Sequence, residues 1–364
     1  MKVNIIGNFF GISGYDMHTR GLANGMMEND IDVCISTNKP LGWERLVNDN
    51  ELKALLKNPD DCDVNLFIGL PQYWSQYMND PKKKFIGFVV WEGDTIPNNW
   101  VNIFNDEKVW KIFVPSNHTY EAIEKGTIKT MPEGWSEVLA KVDIIPHGVN
   151  LKQFFPIETK LDRFTFFTDG GWKDSWLDRK GISYLVKAYL DEFTSDDNVE
   201  LVVKINMTYG FKPTTFQEIV TSNPKPPVLK IVTDVLSTED LNKLYNKCDV
   251  FVISSMAEGF HLGGIQAMAC GKPVLYTDFG GHTDYCDDIN GWKLKEGEMF
   301  EVKHDLSYEG IRWKKPKIEE IRQQLRYIYE HEDTIPNKIQ IAYKTATEFT
   351  WNHSGAKVKE ILKN

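Results

Sequence analysis

Short apolar runs recur along the chain at intervals that leave room for a helix between each pair. In the first 150 residues they are VNIIG (3–7), IDVCIS (31–36), VNLFIGL (64–70), KFIGFVVW (84–91), KIFVPS (111–116) and VDIIPHGVN (142–150). These runs are nearly continuous in hydrophobicity rather than alternating, the pattern of strands covered on both faces of a parallel sheet. A glycine-bearing loop and a helix through Met27 follow the first run. The proline-bearing stretch FFPIETKLD (154–162) interrupts the series and reads as a linker. A second series follows: FTFFTD (164–169), VELVVKI (199–205), VLKIV (228–232), DVFVIS (249–254) and KPVLYT (272–277). Helix patterns fall among these strands at 183–193 and 238–248. The C-terminal part is helical, with PKIEEIRQQLRYIYEHE (316–332) and two further helices ending at Leu362. Two successive βαβ series predict an α/β chain of two Rossmann-like, doubly wound parallel-sheet domains, 1–155 and 156–349.

Length and composition agree with this. The chain has 364 residues, enough for two cores of ordinary size. No stretch approaches the roughly 18 consecutive apolar residues of a membrane span. MKVNIIGNFF runs straight into a strand pattern with no secretory h-region, which gives a cytoplasmic expectation. The formal charge of −10 argues against non-specific binding to nucleic acid or anionic membranes. The basic runs KKK (82–84) and RWKKPK (312–317) leave a local nucleic-acid-binding groove open, although such runs are usually only solvated surface. The five cysteines form no C-x-x-C pair, and the eight histidines no H-x-x-x-H spacing, so no metal site is expected. Asp61-Cys62-Asp63 spells D-x-D but precedes a strand; to present two carboxylates to a metal it would have to follow one.

Chemistry concentrates in 249–285. A strand there ends in a short loop with Glu258 and Gly259, and Gly263 and Gly264 open a helix that Gly271 stops. Such a strand–loop–helix junction lies at the carboxyl edge of a parallel sheet, where ligands bind. Backbone N–H groups and the dipole at the helix start favour an anion such as a diphosphate. Glycine there lets the anion approach the main chain.

The run EGFHLGGIQAMACGKPV (258–274) resembles the signature E-G-F-x-L-x-x-x-E-A-M-A-C-G-x-P-V. That signature belongs to the retaining glycosyltransferases of group 1, the family of sucrose synthase, bacterial glycogen synthase and the phosphatidylinositol mannosyltransferases. Further segments resemble the family in order: 9–26, 114–123, 142–156, RKGISYLVKAY (179–189), 279–294 and 349–362. The resemblance implies the GT-B fold, two Rossmann-like domains facing across a cleft, with a terminal helix (350–364) packing back on the first.

It also implies transfer of a sugar from a nucleoside-diphosphate sugar, such as a UDP-sugar, to a hydroxyl, with no permanently bound cofactor and no metal. In this scheme Lys180 contacts the diphosphate beside Arg179, and Lys173 is the nearest candidate for a second cation upstream. Glu258 contacts the donor sugar. Gln266 stands where the family has a second glutamate that holds the ribose. Gly259, Phe260, His261, Leu262, Gly263 and Gly264 complete the donor loop. Gly11, Ser13 and Gly14 form a loop facing the diphosphate, with Tyr15 on the acceptor side. Trp91, Glu92, Asp94 and His118 are the acceptor-side candidates, with His147 near the cleft. The acceptor classes are a glycan or lipid-linked sugar. A modified DNA base joins them because S-G-Y-D-x-H-T-R (13–20) resembles virus- and phage-encoded members. Gln266 also opens the reading of a non-catalytic sugar-nucleotide-binding protein, and the fold that of a sugar epimerase.

Overall fold

The computed structural model describes residues 1–37, 53–172, 178–207, 224–303 and 306–363. The chain divides into two units, Met1–Asn150 with Glu301–Arg312 and Phe349–Asn364, and Leu151–Phe300 with Trp313–Glu348.

In the first unit the predicted runs become β1 (Lys2–Gly7), α1 (Gly14–Glu28), β2 (Asp32–Thr37), β3 (Val64–Ile68), β4 (Lys84–Phe88), α2 (Asn98–Asn105), β5 (Val109–Val114), α3 (Asn117–Thr130), α4 (Trp135–Leu139) and β6 (Val142–Ile144). The strands pair in parallel in the order β2-β1-β3-β4-β5-β6. Successive residues of a strand serve opposite layers, which is why the runs are apolar throughout. Leu66 and Phe113 join the core under α1, while Phe67 and Ile112 join the one with Trp100, Phe104 and Ile123.

The second unit contains β7 (Phe164–Gly170), α5 (Ile182–Glu192), β8 (Val199–Ile205), β9 (Val228–Val232), α6 (Thr238–Asn246), β10 (Val250–Ile253), α7 (Leu262–Ala269), β11 (Val274–Thr277) and β12 (Gly291–Leu294). A two-stranded sheet, β13 (Gly297–Glu301) with β14 (Arg312–Pro316), and helices α8 (Ile318–Glu330) and α9 (Ile335–Glu348) follow. The large sheet runs β12-β11-β10-β7-β8-β9, all parallel. Counted from its own first strand this is 3-2-1-4-5-6, the Rossmann order, and the winding reverses between β7 and β10.

The last helix, α10 (Trp351–Lys363), lies against α1 in the first unit. Small residues let the two backbones approach. A Cβ on Gly25 would sit 1.9 Å from the Trp351 carbonyl oxygen, and one on Gly21 would strike the Trp351 indole.

Two boundaries and one element differ from the sequence reading. The first unit ends at Asn150, not 155, because the next residues are bound to the second unit. Phe155 N–H donates to Asn242, Ile157 N–H donates to Asn246, and the Phe154 ring meets Tyr245 edge-on. Residues 301–312, assigned by sequence to the second domain, belong to the first unit. The basic run at 312–317 is largely strand β14, with Trp313 buried. Cationic side chains on alternate, solvent-facing positions hid that strand from a reading based on charge.

Candidate functional site

The reversal between β7 and β10 brings together the carboxyl ends of both strands, and the sequence fills that place with charge. β7 ends in Asp169–Gly170, and the chain re-enters at Asp178, Arg179, Lys180 and Gly181 to start α5. Gly181 has φ +63, and a Cβ there would lie 2.0 Å from the Ser254 carbonyl oxygen, so both conformation and space demand glycine. Met256 N–H donates to Arg179 O at 2.7 Å, and Ser254 Oγ donates to Gly181 O at 3.0 Å. Buried Asp178 accepts from Ser183 N–H at 2.7 Å in the first turn of α5; burial pushes its carboxyl up to about 6. The basic turn is thereby stapled to the end of β10, some 75 residues later in the chain.

The staple sets Arg179 and Lys180 on Glu258. Lys180 Nζ is 2.7 Å and Arg179 Nη1 3.1 Å from Glu258 Oε1, and Arg179 also donates to Ala257 O at 2.6 Å. The Glu258 side chain is 6% exposed. Burial alone would raise its carboxyl, but Arg179 and Lys180 outweigh that and hold it well below the usual carboxylate range. Its main chain is fixed from the other side, where Gly281 N–H donates to Glu258 O at 2.7 Å and Gly280, at φ +121, packs against the Glu258 backbone. The result is an ionised carboxylate under two cations that keep about a quarter of their side chains exposed. An incoming anion meets positive charge already held in place.

α7 opens beside this cluster. His261 is its N-cap with φ +73, a conformation rare outside glycine, and its Nδ1 accepts from Gly264 N–H at 3.0 Å. That bond requires the neutral ring, and burial together with Lys180 keeps the His261 pKa well below its ordinary value. The Gly264 amide, expected from sequence to face a diphosphate, is engaged by His261. Gly264 is glycine for packing as well, since a Cβ would meet Tyr285 Oη and Ile253. Phe260 is likewise a packing residue, buried with its ring 5.2 Å from that of Tyr285. Gly259 lies in the buried loop before these residues, half-buried Leu262 starts α7, and Gly263 abuts Asp169. Gln266 lies one turn into α7, 6% exposed, with its side-chain amide 3.1 Å from Tyr245 Oη. Lys173 lies outside the described residues.

In the first unit the glycine loop after β1 is held by its own side chains. Ser13 caps α1, and Asp16 accepts from Gly11 N–H at 2.7 Å and Ser13 N–H at 3.1 Å. Arg20 donates to Gly11 O, and Thr19 Oγ1 to Asn8 O. The S-G-Y-D-x-H-T-R pattern is thus a loop clamp. Gly14 has open space where a Cβ would stand, and Tyr15 packs on the core. His18 and His147 are buried with rings 4.1 Å apart, both near Trp351.

The acceptor-side candidates all have partners within the first unit. Trp91 is 1% exposed, stacked on Tyr308 and bonded through Nε1–H to Thr95 O, so it belongs to the core. Glu92 accepts from Tyr308 Oη at 3.0 Å, and Asp94 accepts from Arg312 N–H and Nε–H at 2.7 and 2.8 Å. His118 Nε2 lies 3.1 Å from Glu92 O, and burial lowers its pKa. Trp91, Glu92 and Asp94 fasten the segment 301–312 to the loop after β4, and His118 bonds that loop from α3; the sequence reading missed the first three contacts because Tyr308 and Arg312 lie more than 200 residues away. Asp63 of the D-x-D run accepts from Lys2 N–H and ties β1 to the start of β3.

Sequence reasoning also missed Asp169 and Tyr245. Tyr245 Oη lies 2.5 Å from Asp169 Oδ2 beneath Gly263. Neither sits in a motif. A carboxylate as the last side chain of a buried strand was the one available signal.

Comparison with known proteins follows this geometry. Residues 171–303 match the family described as Glycosyl transferases group 1. An N,N'-diacetylbacillosaminyl-diphospho-undecaprenol alpha-1,3-N-acetylgalactosaminyltransferase of Campylobacter jejuni is 27% identical over 139 residues, 37% of this chain and 35% of that protein. The match thus spans about a third of that relative's length. Among solved structures, sucrose-phosphate synthase from Thermosynechococcus elongatus superposes with a TM-score of 0.72 at 15% identity, covering 100% of this chain and 98% of that one. Anabaena HepE in complex with UDP-glucose gives 0.69 at 14% identity over 100% and 99%. The chain therefore carries a glycosyl transferases group 1 domain, on the fold of the GT-B glycosyltransferases.

Proposed function

We propose that the protein is a glycosyltransferase that moves a sugar from a nucleoside-diphosphate sugar to a hydroxyl acceptor without a divalent metal. The observation that carries this reading is the Arg179–Lys180 pair held on buried Glu258 where the second sheet reverses its winding. In such a reaction the bond from the anomeric carbon to the diphosphate oxygen breaks, and a bond from that carbon to the acceptor oxygen forms. The acceptor proton passes to the departing phosphate, and attack on the face of departure retains configuration. Negative charge grows on the leaving diphosphate, and preorganised cations stabilise that charge without reorganising. Glu258 positions both cations and offers an oxygen to sugar hydroxyls. HepE binds UDP-glucose, which puts UDP-sugars first among donors. The Campylobacter relative's name describes a lipid-linked acceptor, which favours lipid-linked glycan here. A modified DNA base is less favoured, because Asp16, Thr19 and Arg20 of the motif that suggested it are spent on internal bonds.

The test is turnover of a panel of nucleotide sugars, with transfer and donor hydrolysis followed in the presence of EDTA. Lys180→Ala is expected to cut turnover on the order of 10²–10³-fold, the usual cost of one charge stabiliser, with Glu258→Ala lower still. Unchanged turnover in both variants refutes the site; abolition by EDTA refutes metal independence.

A further inference from the structure

We propose that Cys34 and Cys62 are a modification site: under peroxide they form a reversible disulfide that staples β2 to the entry of β3 in the first unit.

The two thiols come from separate elements and meet in the interior of that unit. Cys34 lies in β2 and is fully buried; Cys62 ends the short 3-10 turn Pro59–Asp61 and is buried as well. Cys62 Sγ–H donates to Cys34 Sγ at 2.9 Å. Cys248 and Cys270 instead donate to oxygens, Tyr245 O at 3.2 Å and Asn242 Oδ1 at 3.1 Å. The backbone is fixed on both sides of the pair. β2 is paired with β1 from Asp32 to Thr37, and Ile35 N–H donates to Leu55 O at 2.9 Å. Cys62 N–H donates to Pro59 O at 3.1 Å, and Asp63 N–H to Lys2 O at 2.9 Å. Lys83 Nζ adds a bond to Pro59 O at 2.9 Å. A disulfide needs two side chains that already point at each other from backbones that can stay where they are. Both conditions hold here, because the ladder and the turn keep the sulfurs face to face.

Hydrogen peroxide is an oxidant small enough for such a site. One sulfur attacks peroxide: an S–O bond forms, the O–O bond breaks, and a first water leaves. The second sulfur then attacks the sulfenic sulfur; the S–S bond forms, the S–O bond breaks, and a second water leaves with the remaining thiol proton. Two thiols and one peroxide thus give one disulfide and two waters. The thiolate is the reacting form. Burial, and then the Cys34 sulfur, push the Cys62 thiol up to about 12, against the pull of Lys2 and Lys83. Bridging is accordingly slow at neutral pH and faster as pH rises. Where thiol reductants prevail the pair stays as two thiols, so the staple is set only when peroxide accumulates. Once formed, it closes the loop of residues 34–62, which restricts the unfolded chain and stabilises the first unit.

To test this, the full chain is incubated with hydrogen peroxide or with dithiothreitol, then unfolded, alkylated and mapped by mass spectrometry without reduction. Peroxide is expected to remove two of the five thiols and to yield a peptide joining Cys34 to Cys62, which dithiothreitol takes apart. The melting temperature should rise by roughly 5–10 °C on oxidation, the effect of closing a loop of this size, and fall back on reduction. Cys34→Ala and Cys62→Ala should each abolish both changes, whereas Cys286→Ala keeps them. Peroxide that leaves all five thiols intact, pairs other cysteines, or carries Cys34 or Cys62 to a sulfinic acid without a bridge overturns the assignment. A bridged protein that melts no higher than the reduced one overturns the staple. The peptide map and melting curve of the wild-type protein decide both points even where a variant fails to fold.

Discussion

At Glu258 a carboxylate that would resist burial is kept ionised by two cations, each fixed by main-chain bonds. The His18–His147 pair answers the same problem in the opposite way, by staying neutral. Burial lowers the His147 pKa from its ordinary value of 6.5 to about 3, and burial together with His147 holds that of His18 well below its ordinary value. A depressed histidine pKa means that the unfolded chain binds more protons than the native one throughout that window. Stability is therefore present above pH 6.5 and lost as pH falls, at about 1.4 kcal/mol per pH unit per histidine. Denaturant melts between pH 7 and pH 5, read by hydrogen exchange in α1, should show this slope, and His147→Phe should reduce it. An unchanged slope would place the acid sensitivity elsewhere. The same pair shows the limit of motif reading: His147 falls in a family-like segment, but its ring is packed among Phe88, His18 and Trp351.

At the scale of elements, the contact between α1 and α10 depends on glycines at positions that sequence propensity would fill with alanine. Gly25→Ala puts a methyl 1.9 Å from a backbone oxygen, which neither helix can yield without separating. Overpacking of this kind costs roughly 1–3 kcal/mol or more. Gly14→Ala is the control: it opens the same helix with nothing within 4 Å, and should stabilise by up to about 1 kcal/mol. Chemical denaturation of the two variants measures the difference. Similar effects at both sites would mean that helix propensity, rather than close approach, governs these glycines.

For the molecule as a whole, the chain builds its first unit from three separated pieces and its second from two. The terminal piece supplies α10, whose Val358 and Leu362 complete the core beneath α1 and β1–β3. Truncation before Phe349 should therefore strip hydrogen-exchange protection from α1 and β2 while leaving β7, β8, β10 and β11 protected. Equal loss in both units would show that they do not fold as the contacts divide them. Among the described residues no helix is long and apolar enough to cross a membrane.

The sequence by itself determined the strands and their parallel pairing, because burial on both faces demands uninterrupted apolar runs that few other structures tolerate. Family resemblance drew attention to Glu258, Arg179 and Lys180, which the structure brings together at the reversal of the second sheet. Only the tertiary structure decided which polar residues are bonded to one another within the protein. Glu92 and Asp94 looked available, and are bound to Tyr308 and Arg312; Asp169 and Tyr245 looked unremarkable, and lie against Gly263 and Gln266. Local pattern records what a residue can do, whereas its partner is set by chain packing over 21 to 218 positions in these pairs, beyond the reach of hydrophobic periodicity.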